Sequence, residues 1–98
     1  MFIRVTHIEV KSGQWNEFLK DFEASTIPQL EAESGFLRII CSGDDVSGEV
    51  NLITMWQKSE QGGGAGHEAL DPALAKLQDY LVTAPVSSGY DEILERTF

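Results

Sequence analysis

An apolar run, Asn51-Leu-Ile-Thr-Met-Trp56, ends in a tryptophan, and the chain then passes through Gly62-Gly-Gly-Ala-Gly66 to His67 and on to Asp71-Pro72. An aromatic wall, a proton-exchanging group and a loosened backbone therefore fall within one stretch. Imidazole titrates near neutrality, so His67 could serve as a general base toward any hydroxyl within hydrogen-bond reach. That chemistry belongs to a small-molecule pocket. The other reading of His67 is an exposed or capping histidine at a loop–helix junction. The glycine stretch reads either as a lid over the pocket or as a tolerated surface insertion.

The elements that must position these groups follow from periodicity. Phe2 to Val10 alternates, with Phe2, Arg4, Thr6, Ile8 and Val10 on one face and Ile3, Val5, His7 and Glu9 on the other. β-branched residues dominate it, as in a strand. Trp15, Phe18, Leu19 and Phe22 recur at helical spacing. Pro28 lacks a backbone donor and disfavours helical geometry before it, which predicts a kink near Thr26 and a last turn through Gln29 to Glu33. Ser34-Gly35 closes that helix.

Phe36 to Ser42 and Glu49 to Trp56 read as an antiparallel hairpin joined by the turn residues Gly43 to Gly48. Lys58 to Gly66 reads as a loop or an interrupted helix, because each interior glycine costs about 1 kcal/mol of helix. Asp71-Pro72 is a strong helix start, a capping carboxylate followed by proline at the first helical position. Leu74, Leu77, Tyr80 and Leu81 form its buried stripe, to about Val82. Pro85 to Gly89 reads as a loop and Tyr90 to Phe98 as a final strand. The order is β-α-β-β-α-β, an α+β ferredoxin-like arrangement with an antiparallel sheet and two helices on one face. The opposite face is expected to carry Ile3, Val5, Ile39, Ile53, Met55 and Ile93. Such a face needs covering, and a self-complementary homodimer is the simplest cover.

Bulk composition limits the partners. The 98 residues predict a single domain over 1–98, and 42% apolar with 23% charged residues is ordinary for a globular protein. The 7 basic against 16 acidic residues give a net charge of −9, which argues against nucleic acid and anionic membranes. Cys41, the one cysteine, lies among apolar residues and is expected to be a buried strand thiol. The first residues lack the layout of a signal peptide and no run is long enough to span a bilayer, so a cytoplasmic location is expected. Asp44, Asp45 and Glu49 lack metal-ligand spacing and read as a solvated turn; no metal site is expected.

Over nearly its whole length the chain resembles the antibiotic biosynthesis monooxygenase family of dimeric α+β barrels. The resemblance rests on Ser12-Gly13 leading into the first helix and Glu33-Ser-Gly35-Phe36 opening strand two. It includes Thr54-Met-Trp56-Gln-Lys-Ser59-Glu60 closing strand three, and His67 with Asp71-Pro72 opening the second helix. It implies a dimeric barrel. It does not by itself imply one activity, since the family includes cofactor-free oxygenases, heme-degrading enzymes and isomerases.

In the heme-degrading branch the resemblance places an axial histidine near Leu77 and an asparagine near Thr6. Leucine cannot ligate iron, and heme degradation is disfavoured. The cofactor-free branch fits better. It implies a small electron-rich aromatic or quinol-type substrate, reacting with oxygen in an apolar cavity between sheet and helices, with no cofactor. Trp56 matches the family's tryptophan, although Leu52 stands where one pattern has asparagine and the Gly62 to Gly64 stretch where it has tyrosine. The expected catalytic residues are therefore His67 and Trp56, and the expected substrate-binding residues are Arg4, Thr6, Phe22, Leu52 and Thr54. The alternative is a small-molecule-binding dimer on the same scaffold that is non-catalytic or of isomerase type. His7 is expected at the dimer face, and Trp15, like Phe22, in the core or the cavity wall.

Overall fold

The computed structural model describes residues 1–59 and 74–98. The chain runs through β1 (Phe2–Glu9), α1 (Trp15–Asp21), a π-helical turn (Phe22–Thr26) and α2 (Ile27–Glu31). It continues through β2 (Phe36–Asp44), β3 (Glu49–Trp56), a 3-10 turn (Gln78–Tyr80) and β4 (Val86–Asp91). The strands form one antiparallel sheet in the order β2-β3-β1-β4. That is the α+β ferredoxin-like fold expected from the order of elements. The predicted helix start at Asp71-Pro72, like Gly62 to His67, lies outside the described residues. Beyond it only Leu74 and Ala75 are helical among the described residues; the helix expected to run to about Val82 gives way to the 3-10 turn, because Leu81 bridges to Val10 at the edge of the sheet.

Alternation on β1 and β3 decides which face is covered. Phe2, Arg4, Thr6 and Ile8 face the helix layer and are buried, as are Val50, Leu52, Thr54 and Trp56. In register, Phe2 lies opposite Trp56, Arg4 opposite Thr54, Thr6 opposite Leu52 and Ile8 opposite Val50. Phe18, Phe22 and Leu30 from the helix layer and Leu74, Leu77 and Leu81 from the C-terminal region complete the core.

The anticipated kink takes the form of a wider turn. Pro28 falls at the start of α2, and its ring would meet the carbonyl of Ala24 in a regular α-helix. The π-helical turn between the two helices accommodates it without a break. Gly13 and Gly35 have φ of 81° on either side of the helix layer, a conformation that favours glycine. In the hairpin turn, Val46 N–H donates to Asp44 Oδ1 at 2.8 Å and Gly48 N–H to the Asp44 carbonyl at 2.8 Å.

Four expectations need correction. The first concerns Ile39, which lies opposite Thr54 on the helix side, packed against the core, and not on the open face. A bulge between Phe36 and Arg38 inserts one residue and flips the alternation beyond it. Ile40, opposite Ile53, takes the open-face place instead. Second, Ile93 is 98% exposed and belongs to no strand. Third, the final strand is Val86–Asp91, which starts in what reads as loop from Pro85 to Gly89 and overlaps the expected strand only at Tyr90 and Asp91; residues 92–98 have no regular structure. Ser87, Ser88 and Gly89 are poor strand formers, and it is the free edge of β1 that draws them into the sheet. Fourth, Cys41 is exposed. It sits on the outer strand β2, where nothing from Cys41 onward is buried.

Candidate functional site

The helix-facing side of β1 and β4 carries an unusual set of polar groups. Arg4 is only 1% exposed, with its guanidinium carbon 5.4 Å from the centre of the Phe2 ring. Its Nη1 donates to Ser87 Oγ at 3.1 Å, and Ser87 Oγ lies 3.0 Å from Thr6 Oγ1. The sheet register makes this possible: Thr6 faces Ser87 and Arg4 faces Gly89. A Cβ at Gly89 would lie 2.9 Å from Phe2 Cε2 and 3.1 Å from Arg4 Nη2, so a residue without a side chain leaves the room in which the guanidinium lies.

Beside this polar corner is a cavity of about 690 Å³, within the size range of small-molecule pockets. Its walls include Thr6 and Ser87 from the sheet, Leu74, Ala75 and Leu81, and the arc Val82-Thr-Ala-Pro85. Lys11, Gln78 and Asp79 add polar groups to the lining. Backbone bonds explain the opening. Lys11 N–H donates to the Tyr80 carbonyl at 2.7 Å and Val82 N–H to the Glu9 carbonyl at 2.9 Å, beside a bridge between Val10 and Leu81. The chain then leaves the edge of β1 and rejoins it only where Val86 pairs with His7.

Arg4, Thr6, Phe22, Leu52, Thr54 and Trp56 all lie buried in the layer between sheet and helices. Among them Thr6 lines the cavity, and Arg4 backs it through Ser87. Trp56 is packed in the core; its ring meets Phe36 edge-on at 4.9 Å, and its Nε1 donates to Thr54 Oγ1 at 3.0 Å. Phe22 stacks on Phe18 at 5.9 Å. His67 lies outside the described residues. His7 is on the open face, with Nδ1 3.1 Å from Asn51 Oδ1 and Nε2 3.9 Å from Glu49 Oε1. Asp44 serves the hairpin turn. Trp15 packs its ring against Gly43.

Ser87, in what reads as loop from the sequence, and the arc from Val82 to Pro85 are site residues that no local pattern marks. The available signal was pairing: polar residues at Arg4 and Thr6 on a buried face require polar partners. Tyr80 belongs by spacing to the buried stripe, yet its hydroxyl donates to Asp21 Oδ2. That hydrogen bond, then desolvation and the negative charges of Asp21, Glu17 and Asp79, hold the phenol above the ordinary tyrosine range.

No protein-family profile matches the chain, and no curated protein matches it in sequence. Solved structures do. A protein from Caulobacter crescentus, provisionally named an antibiotic biosynthesis monooxygenase, superposes with a TM-score of 0.73 at 18% identity, covering 95% of this chain and 90% of that one. A mutant of MhuD with two manganese protoporphyrin IX molecules bound per active site gives a TM-score of 0.73 at 20% identity, covering 100% of both chains. A protein of unknown function from Nitrosomonas europaea gives 0.70 at 20% identity, over 98% and 92%.

The described residues do not fit a porphyrin at the position suggested by the resemblance. Leu77 there is a core residue, 1% exposed, with no donor atom. No helix among the described residues is long and apolar enough to cross a membrane. At identities of 20% or less the likeness is one of architecture, and in architecture this chain has the fold of the antibiotic biosynthesis monooxygenase structures.

Proposed function

We propose that this chain is a cofactor-independent monooxygenase that oxidises a small electron-rich aromatic or quinol-type substrate. The observation that carries the reading is the cavity beside β1 and β4, with Leu74, Leu81, Val82 and Pro85 in its walls and the hydroxyls of Thr6 and Ser87 at one corner. An aromatic ring would lie against these apolar walls while its oxygen met polar groups. On an anthrone-type methylene, the substrate supplies the electrons that break the O–O bond. One oxygen atom stays on the ring carbon as a carbonyl, and the other leaves as water with the two methylene hydrogens.

In this proposal His67, seven positions before the cavity residue Leu74 (74 − 67 = 7), takes the substrate proton. Thr6 contacts the substrate, Arg4 fixes the polar corner, and Phe22, Leu52, Thr54 and Trp56 form the packed floor that holds β1 in place. The active form is a homodimer through the open sheet face, where Ile3, Val5, Ile40, Ile53, Met55 and Tyr90 stand together. A second reading, a small-molecule binder without catalysis, is favoured by one detail: the Trp56 N–H is already committed to Thr54, inside the core.

The test is oxygen uptake by the metal-free protein with a panel of anthrones and hydroquinones, comparing wild type, His67→Ala and Trp56→Phe. The proposal expects uptake above the uncatalysed background that falls in His67→Ala. Binding without uptake on every substrate would leave the binder reading in its place.

A further inference from the structure

We infer that Thr6 and Ser87 form a one-hydrogen donor site for an acceptor oxygen of the ligand, a phenolate, enolate or carbonyl oxygen. This rests on the reading above that the cavity takes an oxygenated aromatic. A guanidinium can only donate, so in the 3.1 Å bond from Arg4 Nη1 the Ser87 oxygen is the acceptor. Between Ser87 and Thr6, 3.0 Å apart, one hydroxyl must donate to the other.

If Ser87 donates, Thr6 retains its own hydrogen. If Thr6 donates, Ser87 accepts twice and retains its own. Either way one hydroxyl hydrogen is left over, and among the described residues neither side chain has another acceptor. Both residues line the cavity, Thr6 with 1% of its surface exposed and Ser87 half-buried, so the spare hydrogen lies at the cavity wall.

The geometry is fixed before any ligand arrives. Arg4 is buried against the Phe2 ring and the bare backbone of Gly89, and cannot swing away without displacing core groups. A preset donor favours a ligand oxygen that gains negative charge, because such a donor has no reorganisation to undergo when the charge develops. The site therefore selects ligands by an oxygen at one edge of the ring and favours that oxygen ionised.

The probes are 1-naphthol, whose ionised form absorbs at longer wavelength than the neutral one, and naphthalene, which lacks the oxygen. Wild type should bind naphthol more tightly than naphthalene by about three- to tenfold, the worth of one hydrogen bond. Bound naphthol should ionise at lower pH than free naphthol. Each hydroxyl carries its own hydrogen, so Thr6→Val and Ser87→Ala should each keep most of the preference. The double variant should lose it while still binding naphthalene. Equal binding of the two probes by wild type, an unshifted ionisation, or a double variant that keeps the preference would overturn the donor site while the cavity reading stood. Failure of wild type to bind either probe would instead overturn the cavity reading and the donor site with it.

Discussion

The Tyr80 hydroxyl donates to Asp21 Oδ2 across 59 positions of sequence, joining the 3-10 turn that borders the cavity to the last residue of α1. The Tyr80 ring also meets Phe18 edge-on at 6.5 Å. One side chain thus ties the cavity's outer segment to the helix layer by a polar and an aromatic contact.

That bond sets an alkaline limit on stability. The phenol's pKa is raised in the folded state, so the protonated form is favoured by folding. Its contribution is complete below about pH 10, the unfolded tyrosine value, and is lost as pH rises through the higher folded value. Denaturant midpoints measured from neutrality into this alkaline range should fall more steeply for wild type than for Tyr80→Phe. Parallel curves would remove the hydroxyl from the account.

Gly89→Ala should destabilise the fold by about 1–3 kcal/mol, the usual cost of forcing an extra carbon into a packed site. The new Cβ would press on Phe2 and on the Arg4 guanidinium. A lower denaturant midpoint at unchanged slope is expected. An unaltered midpoint would mean that Phe2 and Arg4 can both move aside.

Trp56→Ala should cost about 3–5 kcal/mol, the range for large aromatic truncations in a core, because Trp56 is fully buried and bonded to Thr54. The milder Trp56→Phe should fold and still bind 1-naphthol, since the indole is packed away from the described cavity lining. Loss of naphthol binding by a folded Trp56→Phe would place the indole in the site after all.

Val5 is 42% exposed on the uncovered face and lies opposite Ile53. On the proposed homodimer, Val5→Glu should sediment as a monomer where wild type sediments as a dimer. A wild-type monomer at all accessible concentrations would rule out the proposed assembly.

Cys41 is exposed, yet partial burial raises its thiol above the ordinary range. The thiolate is the reactive form. Alkylation by iodoacetamide should therefore be slow at neutrality and accelerate with pH up to the raised value. Rapid modification at neutral pH would contradict this.

The legible parts of the fold were those in which each residue's own preference agreed with its neighbours. β1 and β3 alternate cleanly, and their buried faces are the faces that alternation assigns. The π-helical turn is where Pro28 required relief. What was not legible depends on another strand. The bulge that moves Ile39 inward follows from the pairing of Phe36 with Trp56 and Arg38 with Met55, which no local pattern specifies. Ser87 joins a strand because β1 offers an unpaired edge, and it enters the candidate site because Arg4 and Thr6 need partners there. Among the expected site residues, the buried set of Arg4, Thr6, Leu52 and Thr54 could be read from alternation alone. The position of the cavity could not, because it depends on where the chain leaves and regains the edge of β1.

The π-helical turn also solves a problem of phase. Phe18, Phe22, Thr26 and Leu30 are all buried and follow one another at intervals of four. In a regular α-helix of about 3.6 residues per turn, those twelve steps would carry Leu30 about 120° away from the direction of Phe18. Eleven steps would make just over three whole turns, so the stretch carries one residue more than the face requires. The wide turn absorbs that residue and keeps the four side chains aligned toward the sheet. Removing Ala24 alone would bring back an α-helical pitch only by driving the Pro28 ring against a carbonyl. The one wide turn thus accommodates both the surplus residue and the proline ring, so that residue cannot be lost while the proline stays.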